Sequence, residues 1–138
     1  MAYKIPRSVL VVIYTPAGQV LLLERADPQG CASGVWQSVT GSLDHEDEPF
    51  ADCAAREVRE ETALDVNAGG HTLTDWQLEN TYDIWPHYLY RYAPGVTRNT
   101  ERVFGLCIPR ALEVQLSSEH VAQVWLPWQE AALQVRSA

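Results

Sequence analysis

Basic charge is scarce in this chain of 138 residues: 10 Lys and Arg stand against 18 Asp and Glu, for a formal net charge of −8. A surface that displaces counterions from nucleic-acid phosphates needs a basic footprint. Nucleic acid is therefore excluded as a partner, and divalent cations are the natural ones. Lysine is scarcer still, since nine of the ten basic residues are arginines. The planar guanidinium fork suits bidentate phosphate binding, so Arg7, Arg25 and Arg98 are candidate phosphate clamps. Cysteine is equally thin. Cys31, Cys53 and Cys107 are odd in number, widely spaced and without a CxxC pair, which excludes a disulfide framework and a zinc site. The N-terminal apolar run SVLVVIY is seven residues long, too short to span a membrane and wrongly flanked for a signal peptide. No membrane partner is expected, and the cytoplasm is the expected compartment. Low-complexity runs and internal repeats are absent.

What is present is the balance of a soluble globular protein, 46% apolar and 20% charged. The length suits one domain over residues 1–138, enough to bury a core without metal or disulfide staples. SVLVVIY (8–14) and VLLLER (20–25), joined by TPAGQ, predict a β-hairpin. ADPQGCASG reads as a loop and VWQSVTG (35–41) as one short strand. Pro49, a favoured first helical residue, opens a helix expected to run to Ala63. After NAGG, the segments HTLTDWQLENTYDIW, HYLYRY, ERVFGLCIP and VAQVWLP predict four or more strands, and WQEAALQVRSA a short C-terminal helix. Antiparallel strands with two segregated helices point to an α+β sandwich.

Within the helix, Phe50, Ala51, Ala54, Ala55, Val58 and Thr62 form a stripe that would face a sheet. Glu57 and Glu61 lie on the edge of that stripe, four residues apart, with Glu60 on the adjacent flank. Like charges at this spacing repel by a few tenths of a kcal/mol per pair, and partial desolvation makes the repulsion worse. A solvated acidic face would lie opposite the apolar stripe. A hard divalent cation would remove the conflict, because Mg²⁺ binds through a few carboxylates plus phosphate oxygens and water.

The stretch GSLDHEDEPFADCAAREVREETAL (41–64) resembles the signature box of the nudix hydrolases, G-x5-E-x7-R-E-U-x-E-E-x-G-U with U apolar. Glu48, Arg56, Glu57, Val58, Glu60, Glu61 and Leu64 match position by position. Two departures stand out. Six residues rather than five separate Gly41 from Glu48, so Asp47 occupies the unshifted spacing, and Ala63 replaces the closing glycine. Along VLVVIY, VLLLER, WQSVTGS, YAPGVTRNTE and SEHVAQVWL, the chain is further similar to a bacterial branch of that family acting on dihydroneopterin triphosphate in folate biosynthesis.

The resemblance implies a nudix-type α/β/α sandwich with a mixed, largely antiparallel sheet. It implies metal-assisted attack of water on phosphorus, with Mg²⁺ or Mn²⁺ as cofactor. Glu57 and Glu61 would be metal ligands, Glu60 a further ligand or an orienting group, and Arg56 part of the catalytic set. Glu119 would be a further metal-binding or proton-accepting glutamate, or else an ordinary loop residue. His120 beside it reads as structural or solvent-facing. Substrate contacts carried over from the branch fall on Lys4, Arg25, Thr40, Tyr82, Asp83, Ile84, Trp85 and Ser137. Lys4 and Arg25 would neutralise phosphates, and Tyr82 or Trp85 would stack on a bicyclic ring or simply pack across strands. Arg98 with Asn99 would suit phosphate or pterin edges from a loop. The expected reaction yields dihydroneopterin monophosphate and pyrophosphate. Its rivals are a pyrophosphohydrolase of dATP or another nucleoside triphosphate, and a nudix module that binds a nucleotide without hydrolysis.

Overall fold

The computed structural model describes residues 2–135. Its elements run β1 (Arg7–Tyr14), β2 (Gln19–Ala26), β3 (Ala32–Gln37), β4 (Val39–Ser42), α1 (Phe50–Thr62), β5 (Thr72–Asp83), a 3-10 turn (Pro86–Arg91), β6 (Arg98–Cys107), β7 (His120–Pro127) and α2 (Trp128–Val135). The seven strands form one mixed sheet. β1 runs parallel to β6, and every other pairing is antiparallel.

The β-branched run of β1 explains its central place. Val9, Val11 and Ile13 project to one face and are all 1% exposed or less, as the two-residue period of a strand requires. They meet Leu21 and Leu23 of β2, Phe104 and Leu106 of β6, and Cys53, Ala54 and Val58 of α1 in one core. β1 reaches three neighbours by dividing one edge: Ser8–Val11 pair with β4, while Tyr14 pairs with Val20 of β2. α1 lies against β1 and β4, and α2 against β2, β3 and β7. No helix among the described residues is long and apolar enough to cross a membrane.

Three expectations need correction. VWQSVTG is not one strand but β3 and β4 with Ser38 between them, because the two halves pair with different partners, β2 and β1. HYLYRY belongs to no strand: Pro86 has no N–H to give a ladder, and the segment winds into the 3-10 turn Pro86–Arg91. Three strands, not four or more, therefore follow NAGG. Pro49 is the N-cap rather than the first helical residue, with an extended ψ of 141°.

Candidate active site

α1 carries its acidic residues to the floor formed by β4. Gly41 of β4 admits the Glu57 carboxylate directly over its Cα, where a Cβ would overlap it. Only glycine permits that approach. Arg56 gathers the surrounding acids. Its Nε donates to Glu48 Oε2 at 3.1 Å, its Nη2 to Glu48 Oε1 at 3.0 Å and to the Ser42 carbonyl at 3.1 Å, and its Nη1 to Glu57 Oε1 at 2.8 Å. Asp44 lies 3.1 Å and Glu60 3.5 Å from the same guanidinium. Glu48 also accepts the Asp44 N–H at 2.8 Å. Glu48, not Asp47, is thus the Arg56 partner despite the extra loop residue. The Arg56 hydrogen bonds hold the Glu48 carboxyl below its usual range.

The buried pair is less comfortable. Glu57 is 9% exposed and Glu61 1%. Burial, opposed by Arg56, raises the Glu57 pKa. Burial and then the neighbouring carboxylates of Glu57 and Glu119 push Glu61 up to about 10. Among the described residues neither oxygen of Glu61 has a hydrogen-bond partner, which is a costly state for a buried polar group.

At the start of β7, Glu119 and His120 bring further ligand atoms to Glu61, all within 4.8 Å of one another. His120 Nε2 lies 3.8 Å from Glu61 Oε1. This contact is not an ion pair, because burial and then the Arg25 charge lower the imidazole pKa to about 4. Glu60, by contrast, is solvent-facing and turned to Arg56. Glu61, Glu119 and His120 bring ligand atoms together, Glu57 stands one turn before Glu61 on α1, and the orphaned buried oxygens of Glu61 suit a hard divalent cation.

Cationic groups flank this cluster. The Lys4 backbone N–H donates to the Arg91 carbonyl at 2.8 Å. Partial desolvation and then the charges of Arg91 and Arg25 lower the Lys4 ammonium pKa, while Glu57 and Glu119 oppose the shift. Lys4 and Arg25 therefore share the neighbourhood of the carboxylates. Thr40 donates its hydroxyl to the Val9 carbonyl at 3.0 Å. Tyr82 accepts from Asn99 Nδ2 at 3.0 Å. Ile84 is buried and Trp85 largely exposed, its ring edge-on to His87. Asp83 and Arg98 pair across β5 and β6 at 3.2 Å, both exposed. Ser137 lies outside the described residues.

Arg91 was not anticipated at the site, and of the two readings of His120 the structural one holds, since it is 5% exposed. Arg91 sits in a segment whose aromatic–polar alternation imitates a strand, and the buried place of His120 depends on β7 pairing with β2 at Arg25. Neither carries a local signal.

Comparison with known proteins follows the same lines. A model of the NUDIX domain matches residues 4–138. The chain is 44% identical over 136 residues to the dihydroneopterin triphosphate diphosphatase of Escherichia coli (strain K12), covering 98% of this chain and 87% of that protein. A protein of the same name from Haemophilus influenzae is 36% identical over 138 residues, 99% of this chain and 84% of the relative. The solved E. coli dihydroneopterin triphosphate pyrophosphohydrolase matches with a TM-score of 0.86 at 43% identity, over 99% of this chain and 90% of that one. A MutT protein from Methanosarcina mazei, at 22% identity and a TM-score of 0.61 over 90% of this chain and 78% of its own, shares the fold.

Proposed function

The chain belongs to the NUDIX domain family, and from that premise we propose that it cleaves dihydroneopterin triphosphate to dihydroneopterin monophosphate and pyrophosphate. It does so with Mg²⁺ or Mn²⁺ as cofactor, as one domain over residues 1–138 in the cytoplasm. What supports the reading is the partnerless Glu61 carboxylate buried beside Glu57, in a chain alike over nearly its whole length to enzymes named for that reaction.

Glu57, Glu61 and Glu119 would hold the cation. When bound, it neutralises the triphosphate and polarises the P–O bond that breaks. The protein supplies the rest. Arg56 fixes Glu57 from one side while Gly41 leaves room for its carboxylate, so the ligand is positioned before substrate arrives. Glu60, tethered to Arg56, is an orienting group or a further ligand. Lys4 and Arg25 counter the phosphate charge. Neutral His120 packs against Glu61 and keeps water from that side. Glu119, exposed at the rim, accepts the proton of the attacking water. Tyr82 and Trp85 flank the pterin ring, with Thr40, Asp83, Ile84, Arg98 and Ser137 completing the substrate contacts.

The substrate is tested by measuring kcat/KM for dihydroneopterin triphosphate and dATP with one pyrophosphate assay. The pterin substrate is expected to win, and a strong preference for dATP would overturn the substrate assignment. In the same assay Glu57→Gln and Glu61→Gln should each lower kcat on the order of a hundredfold or more while the chain remains folded. Unchanged turnover in both would defeat the assignment of Glu57 and Glu61 as metal ligands.

A further inference from the structure

On the face of the sheet away from α1, β1, β5 and β6 bring together a polar group that the cation site does not use. Ser8 stands opposite Glu101 across β1 and β6, and Tyr82 opposite Asn99 across β5 and β6. Asn99 is 2% exposed. Its amide, assigned with the nitrogen toward the two hydroxyls, donates to Ser8 Oγ at 2.8 Å and to Tyr82 Oη at 3.0 Å. Its Oδ1 has no partner among the described residues.

Glu101, two residues along the same strand, is half-buried. Burial alone raises its pKa, with no cation contributing. One buried acceptor on this face, Asn99 Oδ1, thus lacks a donor, and the half-buried Glu101 carboxylate stands two residues from it on the same face. A buried acceptor without a donor costs free energy that a ligand would recover.

The group is joined to the cation site. The segment that carries Lys4 runs directly into this face: the Pro6 carbonyl accepts the Thr100 N–H at 3.1 Å, Arg7 stands opposite Thr100, and the Lys4 N–H donates to the Arg91 carbonyl at 2.8 Å. A ligand with its phosphates at Lys4 and the carboxylates would extend its far end along this track toward Asn99 and Glu101.

We propose that Asn99 Oδ1 and the Glu101 carboxylate form an acceptor pair that reads two adjacent donors, a ring N–H and its neighbouring exocyclic amino group. Pterin and guanine share that edge. Adenine presents a ring nitrogen acceptor beside its amino group, and that lone pair would face an acceptor here. The inference deepens the triphosphatase reading above and rests on it for the position of the phosphates, and it makes Glu101 a specificity-determining residue.

The test separates the two. The wild-type protein is assayed with dGTP, with dITP, which keeps the ring N–H but lacks the amino group, and with dATP. If turnover is slow, the same ratios are read as competitive inhibition of dihydroneopterin triphosphate hydrolysis. The dITP value of kcat/KM is expected to fall about tenfold or more below that of dGTP. Glu101→Gln should shrink the gap to about twofold by raising KM for dGTP, with the dGTP to dATP ratio falling in parallel. Equal treatment of dITP and dGTP by the wild type overturns the acceptor pair, as does a folded Glu101→Gln protein that keeps the full gap. If the variant does not fold, the wild-type comparison decides by itself. A wild type that ignores dihydroneopterin triphosphate but keeps the dGTP to dITP gap defeats the substrate proposed above and leaves the pair standing.

Discussion

Glu61 concentrates the conflict on which the site depends. Its carboxyl is buried beside Glu57 and Glu119 and stays protonated up to about pH 10, far above the ordinary carboxylate range. A folded-state pKa raised above the unfolded one gives stability that is full below the unfolded pKa and is lost as pH rises toward the folded value. His120, lowered to about 4, works in the opposite sense: its contribution is full above about pH 6.5 and fades below it. The window from about pH 6.5 to 8 therefore reports Glu61, with Glu57 shifted in the same direction, because above it the buried Cys53 thiol, pushed up to about 12, adds a loss of the same sign. Metal-free protein should lose up to about 1.4 kcal/mol per pH unit there, measured by urea unfolding in EDTA, and Glu61→Gln should flatten the profile. Parallel profiles for the two proteins would remove Glu61 as the cause. The sequence exposed the crowding of Glu57, Glu60 and Glu61. The four-residue spacing of Arg56 and Glu60 also allowed the ion pair that the structure contains. The spacing did not show that Glu61 is sealed from water more fully than Glu57, since that depends on which flank of α1 meets β4 and β7.

At the scale of elements, α1 ends where the resembled box closes on glycine. Ala63 has φ 63°, a left-handed conformation, and its N–H donates to the Arg59 carbonyl at 2.9 Å. A Cβ in that region costs about 1 kcal/mol. Ala63→Gly should thus stabilise the protein by about 1 kcal/mol and raise Tm by roughly 3–5 °C in calorimetry; an unchanged or lower Tm would show that the cap carries no strain. The departure from the box was visible in the sequence, but the sign of the backbone angle was not. The same limit explains Pro86–Arg91. Aromatic–polar alternation fits a strand or an irregular turn equally well, and the proline and the missing ladder partner decided between them. β1 and β2 were legible as unbroken apolar runs bounded by turn residues, and α1 by its apolar stripe at helical spacing.

For the whole molecule, a net charge of −8 and a buried acidic pair make the cation a structural partner as well as a chemical one. Anything that binds only the folded state stabilises it by mass action, about 2.7 kcal/mol at a hundred times Kd. Millimolar MgCl₂ should therefore raise Tm well beyond NaCl of equal ionic strength, because screening acts weakly on buried charges. Glu57→Gln with Glu61→Gln in one protein should erase the difference. Equal effects of the two salts on the wild type would show general screening and no site.

The sequence by itself determined that this is an acidic α+β protein whose central helix carries carboxylates at the edge of its apolar stripe, in the spacing of a known signature. Those properties are local: period, charge and position along one helix suffice to express them. Only the tertiary structure decided that Glu48 rather than Asp47 holds Arg56, that Gly41 makes room for Glu57, that Arg91 and His120 join the site, and that Asn99 and Glu101 share a face with Tyr82. Each of those depends on strand register or on contact between segments far apart in the chain, and no local pattern of residues encodes the distance between two such segments.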